Sequence, residues 1–222
     1  MPNNNSYYSI ESKSTDEVLL ENINYWKEVH KEIDTILKDI RGLILLTHNS
    51  IEFTDIVDFL KKVRPGQFLN ILYISLTRSY DFMTLVLQRK PLAEKRIFFI
   101  DCVSGYAFPE EEQKDDCLYH KPPYNLEELK KIINFGIEKA EPEIIIIDSL
   151  SQFINFSKPT EQEINELYKF LNSIKEDTLN VIQNTFILLY DTRLGTMQNL
   201  PKLSTDLILK IEVVKEEARW KD

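Results

Sequence analysis

The spacing of apolar residues along this chain changes at Gly42. Before it, Leu19, Ile23, Trp26, His30, Ile33, Leu37 and Ile40 recur alternately every four and three positions. That rhythm predicts one amphipathic helix of roughly seven turns. Ser14 with Glu17 three residues later forms a helix-start box, and Gly42 stands at the usual C-terminal stop. Residues 1–13, rich in Asn and Ser, read as a loose lead-in.

After Gly42, short continuous apolar runs alternate with segments of helical period. The runs Leu43–Thr47, Ile71–Leu76, Arg96–Asp101, Glu143–Asp148 and Thr185–Tyr190 predict strands. Helices are predicted over Phe53–Val63, Tyr80–Gln88, Leu126–Ala140 and, from the boxed start Thr160-Glu161-Gln162-Glu163, to about Lys175. Arg64-Pro65-Gly66 and Pro142 break the pattern, and Pro109–Asn125 reads as an irregular acidic stretch. Leu209, Ile211 and Val213 alternate with Lys210 and Glu212, as in a half-exposed edge strand. Runs buried on both faces and separated by helices indicate a parallel sheet covered on two sides. The expectation is a three-layer α/β domain over residues 42–222, preceded by a lead-in and long helix over 1–41.

Composition narrows the function classes. The 222 residues carry 27 Lys+Arg against 36 Asp+Glu, a formal charge of −9. This disfavours general binding to nucleic acid or anionic membranes, both of which need positive surface. No apolar run approaches the ~20 residues of a membrane span, and no signal peptide is recognisable at the start. With two cysteines, Cys102 and Cys117, there is no disulfide framework, and a cytoplasmic location is expected. The five glycines, Gly42, Gly66, Gly105, Gly136 and Gly195, are too widely separated to build a glycine-rich phosphate loop.

The order of pieces resembles the RecA-like ATPases, in particular their KaiC-like branch, over Gly42 to about Val214. "PEIIIIDSLSQF" is similar to the branch's apolar strand ending in Asp and Ser-Leu-Ser. "KVRPGQFLNILYISLTRS" resembles the helix end, turn and strand that follow the phosphate loop, and "RIFFIDCVSG" and "STDLILKIE" resemble the third and the late edge strands. The resemblance implies a RecA-like fold of P-loop NTPase type with a mostly parallel sheet and an N-terminal helical extension.

It also implies where the catalytic parts should be. Laid without gaps on a G-x-x-x-x-G-K-[ST] loop, the two glycines fall on Thr47 and Glu52 and the lysine on Phe53. The hydroxyl survives as Thr54. Glu52 would set a carboxylate beside a triphosphate, a repulsion of several kcal/mol in a partly buried site. The position of the family's catalytic glutamate reads Leu76-Thr77-Arg78-Ser79, without a carboxylate, while the Mg²⁺-associated acid persists as Asp148. These five residues, Thr47, Glu52, Phe53, Thr54 and Asp148, form a vestigial nucleotide site in this reading, with no catalytic residue among them.

Plainer readings stand beside these. Asp148 also fits a turn or cap at a strand end, and Thr54 a helix start. Cys102, Cys117 and His120 supply three of the four ligands that a structural zinc wants, so no metal is expected. His48 and Ser50 with Asp101, Asp148 and Asp191 could furnish a hydrolase at the strand ends, but the chain has no G-x-S-x-G elbow. The Leu19–Ile40 stripe either packs on its own domain or meets another chain. Val29 and Ile36 widen it, and His30 would be a polar core position of the kind that sets register.

The function expected is that of a non-catalytic RecA/KaiC-like domain, a pseudo-ATPase of an archaeal cytoplasm needing no cofactor. Its partners would be itself or another RecA-like protein, met through Leu19, Ile23, Trp26, His30 and Ile33, with Trp26 the anchor. The rivals are an atypical NTPase, which a partner's residues could complete, and a single-strand-binding accessory like the recombinase paralogs.

Overall fold

The computed structural model describes residues 27–29, 31–49, 51–107, 114–175, 184–194 and 205–211. Seven strands form one sheet: β1 (Leu43–His48), β2 (Leu69–Ser75), β3 (Lys95–Asp101), β4 (Cys117–Tyr119), β5 (Ile144–Asp148), β6 (Thr185–Asp191) and β7 (Leu207–Ile211). Their order is β4-β3-β2-β5-β6-β1-β7, and every pairing between them is parallel.

The continuous apolar runs are continuous because both faces of the sheet are covered. Ile44, Leu46, Ile71, Tyr73, Ile146 and Leu189 point to one core and Leu45, Leu72, Ile74, Ile145, Ile147 and Leu188 to the other. The helical residues 31–38 (α1), α2 (Phe53–Lys62) and α3 (Tyr80–Arg89) flank the first core. After the short α4 (Ser104–Ala107), helices α5 (Leu126–Ala140), α6 (Leu150–Ser157) and α7 (Glu161–Lys175) flank the second. The three-layer α/β architecture expected from the apolar runs is the one the chain adopts. Among the described residues no helix is long and apolar enough to cross a membrane.

Three elements differ from expectation. The helix before Gly42 ends at residue 38, short of the predicted stop. Leu37 and Ile40 are buried in the first core, and Gly42 has φ +93° for a different reason. A Cβ there would collide with Asp206 Oδ2, which accepts from Leu43 N–H at 2.7 Å and from Lys175 Nζ at 2.9 Å. Strand β4 lies inside the stretch read as irregular, and its three residues are too few to show a period. Helix α6 is not among the predicted elements, because its eight residues, LSQFINFS, are few for a readable period and a single residue separates them from β5. Its start is set by Ser149, whose Oγ accepts from Gln152 N–H at 3.2 Å. The late strand is half-exposed at the sheet edge as expected, with Val213 outside the described residues.

Candidate functional site

A parallel sheet brings the carboxyl ends of its strands to one edge, and here each inner strand ends on a polar residue. These are His48, Ser75, Asp101, Asp148 and Asp191, all buried. Asp101 is consumed by the backbone. Its Oδ1 accepts from Val103 and Ser104 N–H at 2.7 and 2.8 Å, and its Oδ2 from Tyr80 N–H at 2.7 Å.

Asp148, the expected metal-associated acid, is closed by its own chain. Tyr73 Oη donates to Asp148 Oδ2 at 2.6 Å, and the Arg78 guanidinium donates to the same oxygen in a close ion pair. Arg78 NH2 also donates to the Ile51 carbonyl at 2.7 Å, while Ser75 Oγ bonds the Arg78 backbone on both sides. Burial alone would lower the Arg78 pKa, but Asp148 and Tyr73 outweigh it and raise it. Burial, then the neighbouring Asp148 charge, pushes the Tyr73 phenol well above its ordinary value, so it stays a donor. The Asp148–Ser149 peptide bond is cis.

The loop between β1 and α2, where a phosphate cradle would lie, is turned inward. Such a cradle needs N–H groups free to face an anion. Ile51 N–H donates to His48 Nδ1 at 3.3 Å, and Glu52 N–H to Asp55 Oδ2 at 2.9 Å. Ile51 itself is buried. Glu52 is the exposed N-cap of α2, and with Asp55 it places two carboxylates at the helix end that favours anions. Phe53 is fully buried, its ring edge-on to Tyr73 at 5.6 Å between centroids. Thr47 is buried in β1 opposite Tyr190, its Oγ1 donating to the Leu209 carbonyl at 3.2 Å, and Thr54 lies half-buried in the first turn of α2.

The structure thus joins Phe53 and Asp148 through Tyr73, and sets Glu52 close enough to act electrostatically on Arg78. Thr47 and Thr54 serve sheet and helix. The sequence reading noted Arg78 only as a missing carboxylate. The signal that could have found it is a lone arginine just after an apolar strand. Leu19, Ile23, Trp26 and His30 lie outside the described residues, while Ile33 is 36% and Ile36 43% exposed on α1.

The neighbouring β1–β6 end is also internally paired. Asp191 accepts a forked ion pair from Arg193, NH2 to Oδ2 at 2.6 Å. Burial alone would raise the Asp191 pKa, but Arg193 overrides it and holds it low. Ser149 and Ser151 bond each other at 2.9 Å, and Ser151 Oγ accepts from Asp191 N–H at 3.1 Å. Ser50 lies outside the described residues, and no described serine meets His48 as a hydrolytic pair would. His48 Nε2 is buried without a partner among the described residues. Cys102 and Cys117 are buried, with burial pushing the Cys117 thiol up to about 12. Among the described residues no group of three His, Cys, Asp or Glu could hold a metal ion.

His48 supplies a pH prediction. Burial lowers its pKa, against the opposing pull of Asp191 and Asp148 and with some help from Arg78 and Arg193. The neutral ring is therefore the folded form. Between the depressed value and about 6.5, unfolded chains take up a proton that folded chains do not. Stability contributed by neutral His48 is present above that window and falls as pH drops through it. Urea unfolding between pH 7.5 and 5.5, at ~0.5-unit steps, should show this decline, and His48→Gln should flatten it.

No family model matches the chain, and no curated protein matches it. Among solved structures it is similar to a KaiC-like protein from the hyperthermophilic archaeon Pyrococcus horikoshii, at 10% identity and a TM-score of 0.41. The match covers 68% of this chain and 61% of that one, so the chain spans about three fifths of that protein's length.

Proposed function

We propose that the chain is a non-catalytic RecA/KaiC-like domain, a cytoplasmic pseudo-ATPase that works through contacts with other proteins and needs no cofactor. The observation that supports this most is the closure of Asp148. A carboxylate that must hold a metal needs its lone pairs available. Here Tyr73 and Arg78 both donate to Oδ2, bonds that a metal at that oxygen would have to displace, and Arg78 at the same time anchors the Ile51 carbonyl of the loop that would cradle phosphate. The sheet and its flanking helices form without a glycine-rich loop, so the surfaces for assembly outlast the chemistry.

The contact half of the proposal assigns the Leu19–Ile33 side of the stripe to a second copy or another RecA-like protein, since Leu37 and Ile40 already cover this domain. Two measurements test the reading. Phosphate release from Mg·ATP should not exceed the protein-free rate; turnover by the intact chain would contradict it. Sedimentation over a range of concentrations should show an assembly that Trp26→Ala or Ile33→Asp weakens. A monomer throughout, with unchanged thermal stability in both variants, would refute the contact role.

A further inference from the structure

Among the described residues, strand β3 is covered along only part of its outer flank. Strand β4 pairs with Phe99, Ile100 and Asp101 and no further. Among the described residues, 114–116 leave the line of β4, because Lys114 and Cys117 pair antiparallel across a tight turn. Phe99 N–H donates to the Asp116 carbonyl at 2.8 Å, and the Asp101 carbonyl accepts from His120 N–H at 3.0 Å. Odd-numbered residues of β3 therefore turn their main chain outward, and by the same period Ile97 does so with no strand among the described residues to meet it.

Two cavities flank this open edge, one on each face of the sheet. The larger, about 580 Å³, is walled by Tyr80, Leu87, Leu92, Ile97 and Phe99, with Lys95 at its rim. The smaller, about 310 Å³, lies by Phe98 and Asn70, with Arg96 and Lys139 contributing positive charge and Asp115 and Glu141 negative. An added strand would direct alternate side chains into the two. Charge indicates what kind of strand. Lys95 and Arg96 are adjacent on this edge, both line the larger cavity, and neither closes an ion pair among the described residues. In the larger cavity the carboxylate, Asp116, is engaged by Tyr80 Oη at 2.7 Å.

We propose that the open half of β3 docks an extended acidic segment of another protein, which adds as an edge strand beside residues 95–98. Main-chain hydrogen bonds to Ile97 supply the pairing, the two cavities take alternate side chains, and carboxylates meet Lys95 and Arg96. The surface lies at the amino ends of the strands, away from Asp148, and stands whether or not nucleotide binds there.

The test uses the full chain and three short fluorescent peptides alternating Val with Glu, Val with Ser, or Val with Lys. By anisotropy the Val/Glu peptide should bind about tenfold or more tightly than the other two. Hydrogen exchange with that peptide bound should protect the amide of Ile97, while Arg96 and Phe98, whose main chain faces β2, change little. K95E/R96E should lose the Val/Glu peptide and gain the Val/Lys one, and K95Q/R96Q, a milder change, should bind the three peptides alike. Equal binding of all three peptides by the intact chain, or protection elsewhere, would overturn the proposal and leave the two cations as guards against edge pairing. A dimer that K95E/R96E dissolves would assign the edge to a second copy and overturn it as well.

Discussion

Arg78→Ala is expected to destabilise the protein by about 3–5 kcal/mol, because it strips the cation from a buried carboxylate. The Asp148 side chain is 2% exposed and that of Arg78 17%, so solvent cannot replace what is lost. Tyr73 Oη would remain as a single donor, and the Ile51 carbonyl would lose its partner too. Asp148→Asn should cost less, since the amide oxygen still accepts from Tyr73 and Arg78 lies nearer to solvent. The double variant Arg78→Ala/Asp148→Asn should recover part of the loss, which a double-mutant cycle by urea denaturation would reveal as a coupling energy. A cost below about 1 kcal/mol for Arg78→Ala would mean that the pair behaves like an exposed one and does not close the site.

Ile146→Lys should prevent folding altogether. Ile146 is 1% exposed in β5, paired with Tyr73 on one side and Ile187 on the other, within the first core. Asp148, two residues on along the same face, is already paired with Arg78, so an ammonium placed there gains no free counter-ion, and an unpaired buried charge costs several kcal/mol against a total of ~5–15 kcal/mol. Circular dichroism and proteolysis should report an unfolded chain. The same change at Ile208, 53% exposed on edge strand β7, should leave the fold intact. If both variants folded equally well, the sheet order with β5 inside and β7 at the edge would be wrong.

The strands β1, β2, β3, β5 and β6 were legible because burial on both faces demands unbroken apolar runs, and their ends shifted by only a residue or two. The sheet order was not, since it depends on contacts between segments far apart in sequence. Strand β4 escaped because three residues have no readable period, and α6 because eight residues, half of them polar, show one only faintly. At the site, Asp148 was legible as a strand-end acid. Its closure was not, because Tyr73 and Arg78 reach it from 75 and 70 residues away. Phe53 shows the limit of a gap-free overlay. The position read against a phosphate-binding lysine packs on Tyr73 in the core, so Phe53→Lys would bury a charge and could not restore anion binding.

Whether the strand ends hold nucleotide is the question on which the functional reading turns, and isothermal titration of the intact chain with Mg·ATP answers it most directly. Ile51 and Glu52 N–H are occupied, Glu52 and Asp55 face the helix end, and Arg78 and Tyr73 occupy Asp148 Oδ2. The expected dissociation constant is therefore weaker than about 1 mM, with no saturable heat. A saturable isotherm with a dissociation constant near ~1 μM would contradict the pseudo-ATPase account outright.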